Sequence, residues 1–178
     1  PAAAPAEYAR ALERAAKEAR ADLLLPLGEV SLSCVYAFDL GSRLQVACPA
    51  ADAYVAVTDK HALLARAAAL GIAVPRGSLI EPGDRPAELP PGLDYPVVVK
   101  PRRSRWLDAG RWRAGEARIA RDPGELERQL ALPHAGLLVQ EYVPGVGEGI
   151  FLLANRGRTL VRFAHRRIRE KPPTGGVS

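Results

Sequence analysis

The strongest structural signal in the chain is the stretch YPVVVKP at positions 95–101. Its three consecutive valines predict a buried β-strand, because β-branched residues favour strands and the flanking prolines limit the strand at both ends. Lys100 stands at the end of this strand and brings one ammonium group there to bind an anion. A second stretch, LLVQEYVPG at 137–145, has the same build and ends in Gln140, Glu141 and a Pro-Gly turn. We expect the chain to pass from one packed lobe to another at this turn, with a cleft between them.

The composition is that of a globular protein. The chain has 178 residues, of which 48% are hydrophobic, enough for a packed core. Its apolar runs, such as those at 21–27 and 135–139, are far shorter than the roughly 20 residues of a membrane helix, and no basic-then-apolar leader opens the sequence. We therefore expect a soluble, cytoplasmic protein without a membrane partner. Cys34 and Cys48 lack the spacing of a metal site or a disulfide framework, so free buried thiols are expected.

Positive charge is concentrated in two segments. The formal net charge is +5, and lysine and arginine cluster at residues 100–121 and again at 156–171. Since both segments border the expected cleft, they predict a polyanionic partner, either a nucleic acid or the phosphates of a nucleotide. The alternative is a solvated arginine-rich surface, because exposure is the usual state of this side chain.

The first 56 residues alternate between predicted helices and short apolar strands. Residues 5–21 have the periodicity of an amphipathic helix, and residues 22–26 form an apolar run of the kind buried in parallel sheets. A helix at 31–38 and a strand at 44–49 follow. This alternation indicates an open α/β sheet.

A second unit is predicted to begin near residue 58. Thr58 or Asp59 can cap a helix over 60–70, which Gly71 ends. The proline-rich stretch at 81–96 is expected to be a loop. The remaining predicted elements are a strand at 117–120, a helix at 124–132 that Asp122 and Pro123 begin, and a hairpin of strands 149–154 and 159–164.

Four motifs follow one another between residues 59 and 178. Asp59-Lys60 opens a helix that runs into LGIAVP at 70–75, and YPVVVKP comes next; VQEYVPG at 139–145 precedes Glu148, and HRR at 165–167 leads to a Gly-Gly pair at 175–176. In this order and spacing they resemble the ATP-grasp superfamily, and within it the carboxylate-amine ligases related to carbamoyl-phosphate synthase and biotin carboxylase. The resemblance implies an α/β (α+β) chain with a partial ATP-grasp fold.

The resemblance also implies three parts. They are the C-terminal part of a Rossmann-like pre-ATP-grasp domain at 1–56, the N-terminal ATP-grasp lobe at 57–140 and the beginning of the C-terminal lobe at 141–178. In the family, the residues that hold magnesium lie beyond the glycine loop, so we expect the Mg²⁺ ligands outside this chain. We expect a fragment of a longer protein that binds ATP without completing catalysis; a natural nucleotide-binding remnant is the alternative.

An ATP site follows from the same resemblance. Lys60 and Lys100 would neutralise the phosphates, and a lysine in the first turn of a helix opposes the helix dipole, which favours such a purpose for Lys60. The adenine would lie against the backbone of Glu141 and Val143, and residues 104–115 would be a mobile flap over the triphosphate. The full implied set is Lys60, Lys100, Gln140 near the adenine amino group, Glu141, Tyr142, Val143 and Glu148 on the ribose.

The implied reaction joins a carboxylate to an amine, or to a thiol, through an acyl phosphate made from ATP. Arg166, Arg167 and Arg169 would be the catalytic residues, facing the γ-phosphate or the carboxylate substrate. The partners would be small-molecule substrates and, as in relatives of this kind, a second copy of the chain in a homodimer.

Two other functions stay open at this stage. A basic nucleic-acid-binding module would use the arginine segments with Trp106, Trp112 and Tyr142 as stacking platforms, although an aromatic content of only 6% argues against it. The second open function is that of a subunit that binds ATP without turnover. Taken singly, Lys100 fits a surface lysine at a strand end and Glu148 fits a solvated turn carboxylate.

Overall fold

The computed structural model describes residues 2–86 and 88–169. Helices occupy much of the first 70 residues, and three antiparallel sheets make up most of the rest. The described part therefore has a mixed α+β architecture. None of the helices in this part is long and apolar enough to cross a membrane.

The described elements, in chain order, are α1 (Pro5–Glu18), α2 (Glu29–Ala37), a 3-10 turn (Leu40–Ser42), α3 (Ala51–Thr58), α4 (Lys60–Ala69), β1 (Gly77–Ile80), β2 (Val97–Pro101), β3 (Arg105–Asp108), β4 (Arg111–Ala114), β5 (Arg118–Ala120), α5 (Pro123–Leu130), β6 (Leu137–Glu141), β7 (Glu148–Asn155) and β8 (Arg158–Arg166). The predictions for α1, α2, α4, β2, β5, α5, β6 and the β7–β8 hairpin are confirmed to within a few residues. The structure adds α3, β1 and the β3–β4 hairpin.

Residues 22–49 do not form the predicted parallel sheet. Leu24 and Val46 meet in a single parallel bridge, and no further strand adjoins this pair within the described ranges. Both side chains pack instead against a cluster that includes Val35 and Leu40. The strand predictions at 22–26 and 44–49 are therefore wrong apart from this bridge, because a strand needs hydrogen-bonded neighbours along its length and these segments have only each other.

Both cysteines are free thiols, as predicted. Cys34 is buried in α2, and burial raises the pKa of its thiol. Cys48 is half-buried beside the same apolar cluster.

Helix α3 is stabilised by contacts more than by its own sequence. Its residues, ADAYVAVT, include three β-branched side chains, and Ala50 offers no side-chain cap. Both features weaken helix formation. Tyr54 of α3 stacks on Tyr36 of α2 with ring centroids 4.4 Å apart, so packing overrides the local preference.

A four-stranded antiparallel sheet, in the order β1-β6-β2-β5, forms the centre of the described part. Strands β2 and β6 pair over five residues, from Val97 opposite Glu141 to Pro101 opposite Leu137. One face of the sheet packs on α5, where Val97 and Val139 are 0% and 1% exposed and share a core with Leu130. The triple-valine strand is thus central, as its continuous apolar run predicts.

Helix α5 begins where its local sequence predicts. The side chain of Asp122 accepts a hydrogen bond from the amide of Glu125 at 2.8 Å, and Pro123 occupies the first helical position. Both features satisfy the open start of a helix. The cap fixes α5 against the sheet through the buried Leu126 and Leu130.

Two hairpins complete the described part. In β3–β4 the chain turns at Ala109 and Gly110, which have positive φ angles of 46° and 75°. The longer β7–β8 hairpin is paired along its length, yet Phe151 and Phe163 are 64% and 62% exposed. Its strands are therefore formed without being covered by other described residues.

Candidate functional site

Asp59 fastens the first turn of α4 to the end of β2. Of the two candidate caps it is the one that acts: Oδ1 accepts from the amides of His61 at 3.1 Å and Ala62 at 3.2 Å. Its Oδ2 accepts from Nε of Arg102 at 2.8 Å, just after β2. The amide of Lys60 donates to the carbonyl of Arg102 at 3.0 Å. The helix start and the strand end are thus held together by the protein alone.

The carboxyl group of Asp59 stays ionised although it is only 3% exposed. Burial by itself would raise the pKa of Asp59, but the hydrogen bond from the Ala62 amide and the guanidinium of Arg102 outweigh it and lower that pKa. Arg103 adds a longer contact of 3.6 Å to Oδ2. A charged Asp59 therefore stabilises this junction at neutral pH.

The ammonium of Lys60 lies across the end of β2. Its Nζ donates to Oγ of Ser104 at 2.9 Å and to the carbonyl of Pro101 at 3.2 Å. Both acceptors are neutral, so the positive charge is not cancelled by a direct ion pair. Burial lowers the pKa of Lys60; the carboxylate of Glu29 opposes this effect, and the charge of Lys100 adds to it.

Lys100 approaches the same region from β2. It is half-buried, and burial lowers the pKa of its ammonium. Residues 2–86 and 88–169 form no hydrogen bond or ion pair with its Nζ. Its charge also lowers the pKa of Lys60, and Nζ of Lys60 lies 3.2 Å from the carbonyl oxygen of Pro101, the residue after Lys100. The charges of Glu29 and Asp59 act on Lys60, but neither lysine forms an ion pair within the described ranges. Half-buried cations without an ion pair favour the binding of an anion.

Gln140 lies on the same face of the sheet as Lys100. The register places Val98 opposite Gln140 and Lys100 opposite Leu138, so the two polar side chains are diagonal neighbours. Gln140 is 2% exposed, and no described residue bonds to its Oε1. A buried amide oxygen without a partner is uncommon, and it marks a position where a donor is expected.

Gly77 of β1 allows this close packing around Gln140. The two residues pair across β1 and β6, and a Cβ at position 77 would lie 2.5 Å from the carbonyl oxygen of Val139 and 2.8 Å from Cγ of Gln140. Both separations are shorter than van der Waals contact. Any larger residue at 77 would therefore displace the glutamine.

Glu141 is bound to Arg76. Its carboxylate accepts from the Arg76 amide at 2.9 Å and from Nε at 2.8 Å, and its own amide donates to the Arg76 carbonyl at 2.9 Å. These bonds, that of the Arg76 amide first, lower the pKa of Glu141. Because the backbone N–H of Glu141 already donates to Arg76, only the backbone carbonyl of Glu141 could pair with adenine.

The chain leaves the sheet after Glu141. Tyr142 and Val143 are exposed, and no described residue accepts a hydrogen bond from the amide of Val143. An accessible amide directly after a buried strand can pair with the edge of a ligand. The roles predicted for Tyr142 and Val143 remain predictions.

The residues of the implied site on the β7–β8 hairpin bond to each other and to the hairpin backbone. Across β7 and β8, Oε1 of Glu148 accepts from Nε of Arg166 at 2.8 Å, and both side chains are exposed. The amide of Arg167 donates to the Gly147 carbonyl at 2.7 Å, and Arg169 is exposed. Glu148, Arg166 and Arg169 make no hydrogen bond or ion pair with the lysines in the part of the chain that the structure describes. The Gly-Gly pair at 175–176 lies outside the described residues.

Residues 104–115, the implied flap, contain the β3–β4 hairpin. The amide of Trp112 donates to the carbonyl of Ala2 at 2.9 Å, so the hairpin contacts the N-terminal segment. Trp106 and Gly115 border a cavity of about 190 Å³ above the sheet. The described ranges contain no group of three or more His, Cys, Asp or Glu side chains that could hold a metal ion.

No protein-family model matches this chain, and no curated protein matches its sequence.

The sequence nominates both lysines as site candidates, which stay predictions, but it does not indicate the residues that position them. Arg102 and Ser104 directly follow the Lys100 strand, and Asp59 directly precedes Lys60. An acidic helix cap and a basic pair after a strand are visible signals of an ion pair. The contact between Asp59 and Arg102, which are 43 residues apart, depends on the tertiary fold, and no local pattern specifies it.

Proposed function

We propose that this chain binds the phosphates of ATP through Lys60 and Lys100 and acts as part of an ATP-dependent ligase that joins a carboxylate to an amine or a thiol. The observation that carries the proposal is that Lys60 and Lys100 meet at the end of β2, where both are half-buried and neither forms an ion pair within the described residues. Burying a cation costs free energy unless an opposite charge accompanies it. A triphosphate supplies several anionic oxygens to one such site.

Gln140 supports a nucleotide over a simple anion. Its buried Oε1 is unpaired among the described residues and lies on the same sheet face as Lys100. The amino group of adenine would be a suitable donor for this oxygen, whereas inorganic phosphate would leave it unpaired. The amide of Val143 adds a donor immediately after the strand.

Bound ATP would supply the phosphoryl group that converts a carboxylate to an acyl phosphate, from which an amine displaces phosphate. The lysines of this chain hold and neutralise the phosphate oxygens, which is the main contribution that a protein makes to phosphoryl transfer. Ser104 and the Pro101 carbonyl hold the ammonium of Lys60, and Asp59 holds its helix. The charge is therefore positioned before a ligand binds.

Magnesium does not fit the described residues, because they contain no carboxylate cluster able to hold it. Mg²⁺ is normally held by one or two carboxylates together with the phosphates. We assign no step to a metal. The catalytic roles of Arg166, Arg167 and Arg169 remain part of the proposal.

The ion pairs of the first basic segment argue against a nucleic-acid surface. A backbone-binding surface needs cations that are free to contact phosphates. Several arginines of this segment are paired with carboxylates instead: Arg102 with Asp59 and Glu81, Arg113 with Asp108, and Arg121 with Glu125.

Calorimetric titration with ATP in the presence of magnesium tests the site. We expect Lys100→Ala to weaken ATP binding about tenfold or more, because a hydrogen bond to a charged group contributes about 1.5 to 3 kcal/mol. Lys17→Ala is the matched control, since Lys17 is exposed in the last turn of α1. A folded chain that does not bind ATP, or equal losses in the two variants, would contradict the proposal.

Turnover is measured separately with ATP, a panel of candidate carboxylates and hydroxylamine as a trap for acyl phosphates. Formation of a hydroxamate together with ADP would support the ligase. Tight ATP binding without ADP release would favour a subunit that binds ATP and does not turn it over.

A further inference from the structure

A separate cleft lies between the N-terminal helices and the β3–β4 hairpin. Its volume is about 600 Å³, which is in the range of pockets that bind small organic molecules. None of its lining residues belongs to the ATP set proposed above. The residues on which its chemistry depends are Glu29, Tyr36 and Tyr54 on one side and Arg103, Arg105 and Trp112 on the other.

The two walls of this cleft carry opposite charges. Glu29 begins α2 on one wall, whereas Arg103 and Arg105 follow β2 on the other. Within residues 2–86 and 88–169, no ion pair joins Glu29 to an arginine, and Arg105 has no ion pair. Arg103 has only its 3.6 Å contact to Asp59. Charged groups that are not paired with each other across the cleft can bind the two ends of one ligand of complementary charge.

Aromatic side chains occupy the space between the charged ends. Tyr36 and Tyr54 are stacked with a centroid distance of 4.4 Å. On the hairpin, Trp112 lies opposite Leu107, and Arg105 shares their face because it is two residues away along β3. The middle of the cleft is therefore suited to an apolar group.

The hydroxyl groups in the wall are already bonded within the protein. Ser33 donates to the carbonyl of Glu29 at 2.7 Å, which leaves its oxygen to accept from the hydroxyl of Tyr54 at 2.6 Å. Tyr36 donates to the carbonyl of Pro49 at 2.6 Å. Apart from the indole N–H of Trp112, which has no acceptor among the described residues, polar recognition in the cleft depends on its charged ends.

We propose that this cleft binds an α-amino acid with an apolar side chain, with its ammonium group on Glu29 and its carboxylate on Arg103 and Arg105. A guanidinium suits the carboxylate because it can donate two parallel hydrogen bonds to it. The tyrosine stack and Trp112 contact the side chain of the amino acid.

The position of Glu29 relates this cleft to the proposed ligase. Arg102 lines the cleft, and the amide of Lys60 donates to its carbonyl, so the cleft adjoins the first turn of α4. The negative charge of Glu29 also raises the pKa of Lys60. An ammonium group on Glu29 is then near the phosphates, where an amine substrate is needed. The role as substrate rests on the proposed function, whereas binding of the amino acid does not require ATP.

Tryptophan fluorescence reports on this cleft, because both tryptophans of the chain line it. L-phenylalanine, 2-phenylethylamine and 3-phenylpropanoate are titrated without ATP; the second lacks the carboxylate and the third lacks the amine. We expect saturable binding of phenylalanine and about tenfold or more weaker binding of the other two, since each loses a charge-assisted contact. Equal affinity for either analogue, or no response to phenylalanine, would overturn the proposal.

Glu29→Gln and Arg105→Gln test the two ends of the cleft. We expect Glu29→Gln to weaken phenylalanine about tenfold but not phenylpropanoate, and Arg105→Gln to weaken phenylalanine about tenfold but not phenylethylamine. Arg111→Gln is the control, because Arg111 is exposed at the start of β4 and outside the cleft. Circular dichroism shows whether each variant is folded. If one of the two variants is misfolded, the binding data of the other test the proposal. An effect of the control equal to that of either variant would overturn the assignment.

The same protein is also titrated with ATP. Binding of phenylalanine without binding of ATP would refute the nucleotide site and keep the cleft. Binding of ATP without binding of phenylalanine would refute the cleft and keep the nucleotide site.

Discussion

Strand β2 of the central sheet and strand β7 of the second hairpin have similarly apolar sequences, but their side chains lie in opposite environments. Val97 in β2 is fully buried, whereas Phe151 in β7 is mostly exposed. Strand β2 has a neighbour on each side and α5 against one face, while β7 is paired with β8 only. An apolar strand pattern thus predicts pairing, but burial requires a second layer.

The same difference separates the two groups of predicted site residues. Lys100 and Gln140 lie on the packed sheet, whose core fixes the backbone that carries them. Glu148 and Arg166 lie on the exposed hairpin and neutralise each other. We therefore expect both stability and ATP affinity to depend on the central sheet far more than on the β7–β8 hairpin.

Truncation of Leu130 should have the largest effect. This side chain is buried between α5 and the sheet, so Leu130→Ala should lower the free energy of unfolding by about 2 to 5 kcal/mol through lost burial and a cavity. Leu152→Ala, on the exposed face of β7, should change it by less than about 0.5 kcal/mol. Urea denaturation measures both. Equal losses would mean that the hairpin is covered in solution and that the contrast is wrong.

Removal of Asp59 should have the next largest effect. Asp59→Ala deletes the cap of α4 and leaves Arg102 without its partner, which should lower the free energy of unfolding by about 2 to 3 kcal/mol. Asp52→Ala is the control: Asp52 is exposed in the first turn of α3 and contacts only the next amide. Thermal and urea unfolding should separate the two variants, and a similar loss in both would contradict the role of Asp59.

Asp59 should also produce a pH dependence. Its pKa is lowered in the folded protein, so its stabilisation is complete above the ordinary carboxyl pKa of about 4 and is lost as the pH falls through the folded value. Asp59→Asn should therefore flatten part of the decrease in stability between about pH 5 and pH 2. Urea midpoints across this range give the slope, and an unchanged slope in the variant would exclude Asp59 as a source.

Arg166→Gln should have the smallest effect. It removes an exposed ion pair with Glu148, and such pairs change the free energy of unfolding by less than about 1 kcal/mol. ATP calorimetry on this variant sharpens the contrast between the two regions. A loss of affinity as large as that of Lys100→Ala would show that the hairpin closes over the lysines.

Local signals predict much of the fold because they describe short-range physics. Asp122 and Pro123 mark the start of α5, and Gly71, with a φ of 75°, follows α4 as a left-handed end residue. Strand β1 is not predictable in the same way, since its four residues acquire strand structure by pairing with β6 some sixty residues later. The failed parallel sheet at 22–49 has the same cause, because pairing partners are a property of the tertiary fold.

The sequence likewise indicates only some of the residues of the candidate site. The strand pattern proposes Lys100 and the family resemblance proposes Lys60, and the roles of both stay predictions. Ser104, which accepts a hydrogen bond from Lys60, and Glu29, whose charge raises the pKa of Lys60, lie far from it in sequence and carry no motif. Only the folded chain brings them to the lysines.

Calorimetry with ATP and with adenosine, on the parent chain and on Lys100→Ala, tests whether the lysines of the central sheet bind phosphate. We expect the variant to lose about tenfold or more in affinity for ATP and none for adenosine, which has no phosphate for Lys100 to contact. Equal losses for both ligands, or no loss for ATP in a folded variant, would contradict the phosphate site.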